Sequence, residues 1–355
     1  MKAWTLNSVK DISYGDVSKP VPSKGEVLVK VAACGICGSD IPRIYQNGAH
    51  KMPLIPGHEF SGRVEAVSDP CDNDLLGAKV GVFPLIPCMK CSSCQKKMYE
   101  MCKSYSYLGS RCDGGFADYV SVPKWNLIKL PENVSFEAAA MLEPMAVSVH
   151  AMRKADIKES DRVLVWGAGT IGLLLTMFLK DAGVERLILV GNHDYQRDYA
   201  TLVGISRENF INVSDRDPIE MINKATDGEG VDVFFECVGK SEILKDAINV
   251  TSMGASIVTV GNPYGDVSLA RDDYWNILRH QLKIFGTWNS SFLGEEDPDS
   301  LNDSWHYVLK RLEEGAIHPE RLISHRLDKS ELAKGLEIMR DKSQPYIKVM
   351  TTWEK

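Results

Sequence analysis

Cys88, Cys91, Cys94 and Cys102 stand in the spacing C-x2-C-x2-C-x7-C. Tetrahedral zinc takes four thiolates converging from one short loop, and this spacing supplies them. A closed shell of four thiolates leaves no position for a substrate, so the expected role is structural. C-x2-C-x2-C also opens the bacterial ferredoxin motif. There, however, the fourth cysteine follows after three residues and precedes a proline, which it does not do here. Zinc is the metal this spacing predicts.

A second set mixes ligand types. Cys37 lies in CGICGSD, and His58 and Glu59 lie in PGHEFSG. Thiolate, imidazole and carboxylate in a glycine-rich setting suit a zinc that keeps a fourth position for water or substrate. Glu143, in LEPMAV, interrupts an otherwise apolar segment. A buried charge is costly there unless it is paired or binds metal. Taken singly, each of these residues also fits a structural part: a core thiol or histidine, or a salt-bridged glutamate.

The third constellation is a turn. Gly167, Gly169 and Gly172 form GAGTIG directly after VLVW, and Thr170 and Ile171 open the apolar segment that follows. In a strand–turn–helix setting this is a dinucleotide signal: glycines for the tight turn and the close approach of backbone to pyrophosphate, then a helix N-terminus facing the phosphates. Where NAD sites usually carry an acid for the ribose hydroxyls, strand LILV runs into Gly191 and Asn192, and Asp194 comes late. Loss of that acid removes repulsion against a 2′-phosphate, and His193 or Arg197 could pair with one. The expectation is NAD or NADP, leaning to NADP or dual use.

These residues need a scaffold, and the texture of the chain suggests one. Up to about residue 129 it reads as short β segments cut by Gly and Pro, among them 26–33, 60–67 and 79–83, which predicts a compact, partly open barrel. Near residue 136 it becomes helical, with Pro144 beginning or kinking a helix. From residue 162 strands at 163–166, 187–190, 231–236, 256–260 and 282–286 alternate with helical segments such as 171–182, as in a doubly wound parallel sheet. Helices at 304–314 and 329–340 and a strand at 346–351 close the chain.

Composition bounds the function. The chain has 355 residues, which at about 150 per domain suggests two domains. With 41 Lys and Arg against 48 Asp and Glu, the net charge of -7 argues against a nucleic-acid surface over the whole chain. Residues 1–14 hold no apolar signal region, and no 20-residue apolar run suggests a membrane span. The expected location is the cytoplasm. Nine cysteines in a reducing compartment point to metal before disulfides. Cys34, Cys71, Cys112 and Cys237 are left without a role, as buried thiols by default.

CGICGSD, PGHEFSG, the four-cysteine segment, LEP and GAGTIG occur in the order seen in zinc-dependent medium-chain alcohol and polyol dehydrogenases, which the chain resembles over nearly its whole length. PRIYQNGAH (42–50), GSRCDGGFADY (109–119) and FGTWNSS (285–291) look like the polyol-phosphate members of the sorbitol dehydrogenase branch. The resemblance implies an α/β chain: a GroES-like β-barrel catalytic domain from 1–150 and 290–355, a Rossmann dinucleotide-binding domain at 151–289, and an active site in the cleft. It implies that Cys37, His58 and Glu143 hold a catalytic zinc, that Glu59 can exchange onto it, and that Ser39 relays a proton. Pro42 stands near where some relatives carry a further histidine.

The implied reaction oxidises a secondary hydroxyl of a polyol phosphate, of the galactitol 1-phosphate to tagatose 6-phosphate type. Arg43, His50 and Arg111 are the candidates for the phosphate. The alternatives are an unphosphorylated polyol or diol, such as sorbitol or butanediol, and a non-catalytic zinc- and nucleotide-binding sensor. The family also implies a homodimer or homotetramer.

Overall fold

Residues 1–297 and 299–354 are described by the computed structural model. By its contacts the chain divides into Met1–Ala146 with Ser290–Lys355, and Val147–Asn289.

The first unit is organised on strand Glu26–Ile36, whose sequence EVLVKVAACGI is buried along most of its length. One edge pairs antiparallel with Glu59–Val67. The other is shared: Tyr119–Pro123 runs along its first half and Lys348–Thr352 along its second. Lys79–Val82, Leu127–Lys129 and Ile323–Asp328 complete a seven-stranded sheet. The C-terminal strand thus finishes a sheet that the N-terminal part begins. The core behind it includes Val29, Val31, Phe60, Val80, Phe116 and Val120.

This arrangement brings three strand ends together. Cys37 directly follows Ile36, Glu59 pairs with Gly35, and Lys348 opens the strand whose next residue, Val349, pairs with Ile36. Helices Phe136–Ala140 and Leu142–Met152 meet at Met141. The break has a local cause: Pro144 has no N–H to donate, and its ring crowds the carbonyl of Ala140.

The second unit carries six parallel strands in the order Phe210–Asn212, Arg186–Gly191, Arg162–Trp166, Val231–Glu236, Thr251–Thr259, Lys283–Gly286. The strand order reverses between Arg162–Trp166 and Val231–Glu236, where open α/β sheets bind ligands at their carboxyl ends. GAGTIG lies at that point and leads into helix Thr170–Asp181. The expected strand-rich unit and doubly wound parallel sheet are both found. No helix of the described residues is long and apolar enough to cross a membrane.

Two elements differ from expectation. Lys2–Ser8 and Asp11–Asp16 form an antiparallel hairpin the sequence did not suggest. The second tail helix begins at Leu332, after a separate 3-10 turn Lys329–Glu331 capped by Asp328.

Candidate active site and metal centres

The sulfurs of Cys88, Cys91, Cys94 and Cys102 all lie within 4.8 Å of one another. The Cys91–Cys94 separation is 3.5 Å, and Cys88–Cys94 and Cys91–Cys102 are both 4.0 Å. A disulfide needs about 2.05 Å, whereas tetrahedral zinc with Zn–S bonds of about 2.3 Å sets sulfurs roughly 3.8 Å apart. Backbone N–H groups of Cys94 and Lys103 pull the Cys91 thiol down to about 6, and burial pushes Cys94 up to about 12. The donor set fits a closed tetrahedral metal.

The mixed site lies at the three strand ends. Ligand atoms of Cys37, His58 and Glu59 fall within 4.8 Å of one another. His58 Nδ1 is buried without a hydrogen-bond partner, 3.6 Å from Asp40 Oδ1. Asp40 is fully buried, accepts from the Cys37 backbone N–H at 3.0 Å, and is paired with Arg43. The Ser39 hydroxyl donates to the Cys37 sulfur at 3.3 Å.

Glu143 stands outside the close group. Its Oε1 accepts from the Tyr107 hydroxyl at 3.1 Å, and the Tyr107 ring meets His58 edge-on at 5.8 Å. Burial pushes the Glu143 carboxyl up to about 7, a shift Glu59 adds to and His58, Lys348 and Tyr107 oppose. Glu59 is paired with Lys348. Thiolate, imidazole and carboxylate converging in a buried site fit a zinc with an open position.

In the sheet unit, Gly167 has φ +120°, and a Cβ there would stand 2.9 Å from Val238 Cγ2 and 3.1 Å from the Cys237 carbonyl oxygen. A side chain on Gly172 would run into the Gly167 carbonyl. Gly169 is the N-cap of helix Thr170–Asp181 and brings no side chain to the helix's first N–H groups. That leaves the N-terminus suited to an anion.

The chain matches the alcohol dehydrogenase GroES-like domain over residues 23–132 and the zinc-binding dehydrogenase family over residues 170–310. It is 33% identical to galactitol 1-phosphate 5-dehydrogenase of Escherichia coli (strain K12), with 86% of each chain covered. The chain belongs to the zinc-dependent medium-chain dehydrogenases.

It is also 30% identical to L-idonate 5-dehydrogenase of Vitis vinifera, over 93% of this chain and 88% of that one. The crystal structure of galactitol-1-phosphate dehydrogenase from Escherichia coli matches with a TM-score of 0.89 at 30% identity, covering 99% and 100% of the two chains.

Within this dehydrogenase fold, the candidate phosphate ligands have unequal surroundings. The Arg43 guanidinium is spent on Asp40. His50 is exposed on a loop. Arg111 lies over the Tyr105 ring at 4.3 Å, and among the described residues it has no carboxylate partner. Tyr105 in turn meets Tyr107 at 6.3 Å, so two rings link Arg111 to the metal site.

At the cofactor end, Arg197 is held by Asp194 at 3.1 Å and Asp215 at 3.5 Å. The backbone N–H groups of Asn192 and His193 both donate to Gln196 Oε1. Of the two groups the sequence offers to a 2′-phosphate, Arg197 is therefore already engaged, while His193 stacks on the Tyr195 ring at 5.4 Å.

Sequence reasoning missed Asp40, Tyr107, Lys348 and Glu236. Asp40 had a signal, since it closes CGICGSD. Tyr107, Lys348 and Glu236 carried none in their own neighbourhoods.

Proposed function

We propose that this chain is a zinc-dependent, NAD(P)-linked dehydrogenase that oxidises a secondary hydroxyl of a polyol phosphate to a keto sugar phosphate, of the galactitol 1-phosphate to tagatose 6-phosphate type. The observation that carries the phosphate is Arg111, a cation without a carboxylate partner among the described residues, two aromatic rings from the metal ligands. Similarity to galactitol 1-phosphate 5-dehydrogenase supports the same substrate class.

In this reading Cys37 and His58, with Glu143 or Glu59, hold the catalytic metal, and the four cysteines of the lobe hold a second, structural one. The metal supplies a Lewis acid that lowers the pKa of a substrate hydroxyl, and the nicotinamide supplies the hydride acceptor. The chain's own residues do the rest. Asp40 puts a negative charge 3.6 Å from His58 Nδ1 and fixes the Cys37 backbone by accepting from its N–H. Ser39, half-buried beside Cys37, takes the substrate's hydroxyl proton and passes it to solvent. Gly167, Gly169 and Gly172, with the Thr170 and Ile171 backbone, would cradle the pyrophosphate, and Asn192 would stand on the ribose side. The pairing of Arg197 with Asp194 and Asp215 engages one of the two groups the sequence offers to a 2′-phosphate, His193 being the other, and both NAD and NADP are used.

The reading places the enzyme in the cytoplasm, where its metal-binding thiols stay reduced. A homodimer or homotetramer would assemble through strand Lys283–Gly286, an edge strand with Ile284 42% exposed.

An assay of polyols and their phosphates with both cofactors tests the proposal. Arg111→Ala is expected to raise KM for the polyol phosphate far more than for the free polyol. Equal effects on both substrates would favour the second reading, an unphosphorylated polyol or diol, which similarity to L-idonate 5-dehydrogenase supports. A chain with one zinc and no turnover would instead be a sensor.

A further inference from the structure

Strand Arg186–Gly191 ends about 20 residues beyond the Gly-rich turn, where a dinucleotide-binding sheet reads the adenosine ribose. Hydrogen-bond donors decide what is accepted there. A 2′-phosphate takes several at once, and main-chain N–H groups at the start of a helix are a ready source. Asn192 and His193 carry two such groups, directly ahead of helix Asp194–Leu202.

Both are already taken. Gln196, in the first turn of that helix, reaches back, and its Oε1 accepts from the Asn192 N–H at 2.9 Å and from the His193 N–H at 3.1 Å. The side chain is buried. Its oxygen lies against Gly191, where a Cβ would stand 2.6 Å from it. A capping box occupies one N–H, that of the N-cap residue, here His193. The second N–H, from Asn192, and the bare backbone at Gly191 go beyond what capping needs.

We propose that Gln196 is the specificity-determining residue at the ribose end of the cofactor site: its carbonyl oxygen fills the two main-chain donors a 2′-phosphate would otherwise take. NADP then binds only by displacing it, whereas NAD leaves it in place. The proposal rests on the reading of GAGTIG as a dinucleotide turn, and deepens it by naming the residue that ranks the two cofactors.

Charge sets the size of the effect. An amide oxygen satisfies both donors and brings no net charge, so NADP is penalised only by the hydrogen bonds it must break. The neighbouring cation offers little in return, since Arg197 is held by Asp194 at 3.1 Å and by Asp215 at 3.5 Å. A carboxylate at position 196 would satisfy the same donors and add repulsion against the phosphate. A short apolar side chain would release both donors. The two substitutions therefore push the preference in opposite directions, which a loss of helix stability does not do.

The test uses the full-length enzyme and two probes that differ in the 2′-phosphate alone, 2′,5′-ADP and 5′-AMP, each titrated by calorimetry. Gln196→Ala is expected to tighten 2′,5′-ADP about tenfold relative to 5′-AMP, and Gln196→Glu to weaken it about tenfold on the same scale. The ratio of kcat/KM for NADP to that for NAD should move the same way in each variant.

Equal effects on the two probes overturn the proposal, and so does a shift of both variants in one direction. If Gln196→Ala does not fold, Gln196→Glu decides alone, because it keeps an acceptor for both N–H groups. A native chain that binds neither probe, nor NADH, nor NADPH defeats the reading of the turn itself, a separate outcome from any of these.

Discussion

In the barrel unit the buried polar groups near the site are charged side chains. Asp40, His58, Glu59, Glu143 and Lys348 are all buried: Asp40 faces His58, Glu59 faces Lys348, and Glu143 accepts from the Tyr107 hydroxyl. In the sheet unit the corresponding work falls to backbone. Glu236 is also buried, but its carboxylate accepts from the backbone N–H groups of Val238 and Gly239, both at 2.7 Å. The Gly-rich turn presents main-chain N–H groups rather than side chains. The first unit holds groups that can grip a metal and move a proton. The second builds a rigid, nearly charge-free cradle for a ligand that brings its own charge. The difference predicts that substitutions in the barrel unit act on chemistry or metal content, and substitutions in the sheet unit act on cofactor binding or stability.

The largest effect is expected at Cys37. Cys37→Ser should lower turnover by about a thousandfold or more, since the open metal position depends on it. Metal analysis should find zinc falling from two to one per chain, with the melting temperature little changed. Turnover near native levels would break the division of labour.

The cysteine lobe belongs to the same unit and should behave in the opposite way. Its four thiols form a closed set with no position for substrate, so Cys94→Ala should cost stability instead of chemistry. A loss of about 4 kcal/mol of unfolding free energy is expected by urea titration, because metal binding there is folding energy. Turnover per folded molecule should stay within a few-fold of native.

These two metal sites were not equally legible in sequence, and the reason is separation along the chain. The lobe's ligands span 88 to 102, and the glycine turn spans 167 to 172, so each is written in one short stretch. The Glu59–Lys348 pair joins residues 289 apart, and nothing in PYIKVM marks the lysine as buried. Tyr107 and Glu143 are 36 apart and meet through the fold alone. The candidate metal ligands Cys37, His58 and Glu59 could be named because they sit in motifs. The groups paired with them could not.

Local structure shows the same boundary. Pro144 announced the helix break at Met141. The hairpin Lys2–Ser8 with Asp11–Asp16 went unread because its turn places Lys10 at φ +68°, without the Gly or Asn that usually signals such a turn.

A smaller effect should appear in the sheet unit under acid. His150 is buried, and burial, with Lys154 and Arg153 adding, lowers its pKa to about 4. The unfolded chain takes up this proton near pH 6.5, the folded chain near 4. Between those values the unfolded state binds more protons, so stability falls as pH drops from about 6.5 to about 4 and is unaffected by this group above or below. The cost over the window is at most about 3 kcal/mol. His150→Gln should flatten that part of the stability curve. Asp232, held at about 2 by its hydrogen bonds to Arg162, loses its contribution only at lower pH. An unchanged slope in His150→Gln would place the acid sensitivity among the barrel's ionic groups.

The smallest effect should come from Glu236, and it bears most directly on the contrast between side-chain and backbone chemistry. Its carboxylate fixes the Val238–Gly239 turn, and residues of that turn lie against Gly167, where there is no room for a Cβ. If the cradle works by holding backbone still, removing the clamp should loosen cofactor binding without touching the chemical step. Glu236→Ala is expected to raise KM for the dinucleotide about tenfold, equivalent to about 1.4 kcal/mol, with kcat nearly unchanged. Glu236→Gln keeps an acceptor for both N–H groups and should recover most of the loss. A fall in kcat at constant KM would give Glu236 a part in the chemistry, and the sheet unit would then share with the barrel unit a reliance on buried charge.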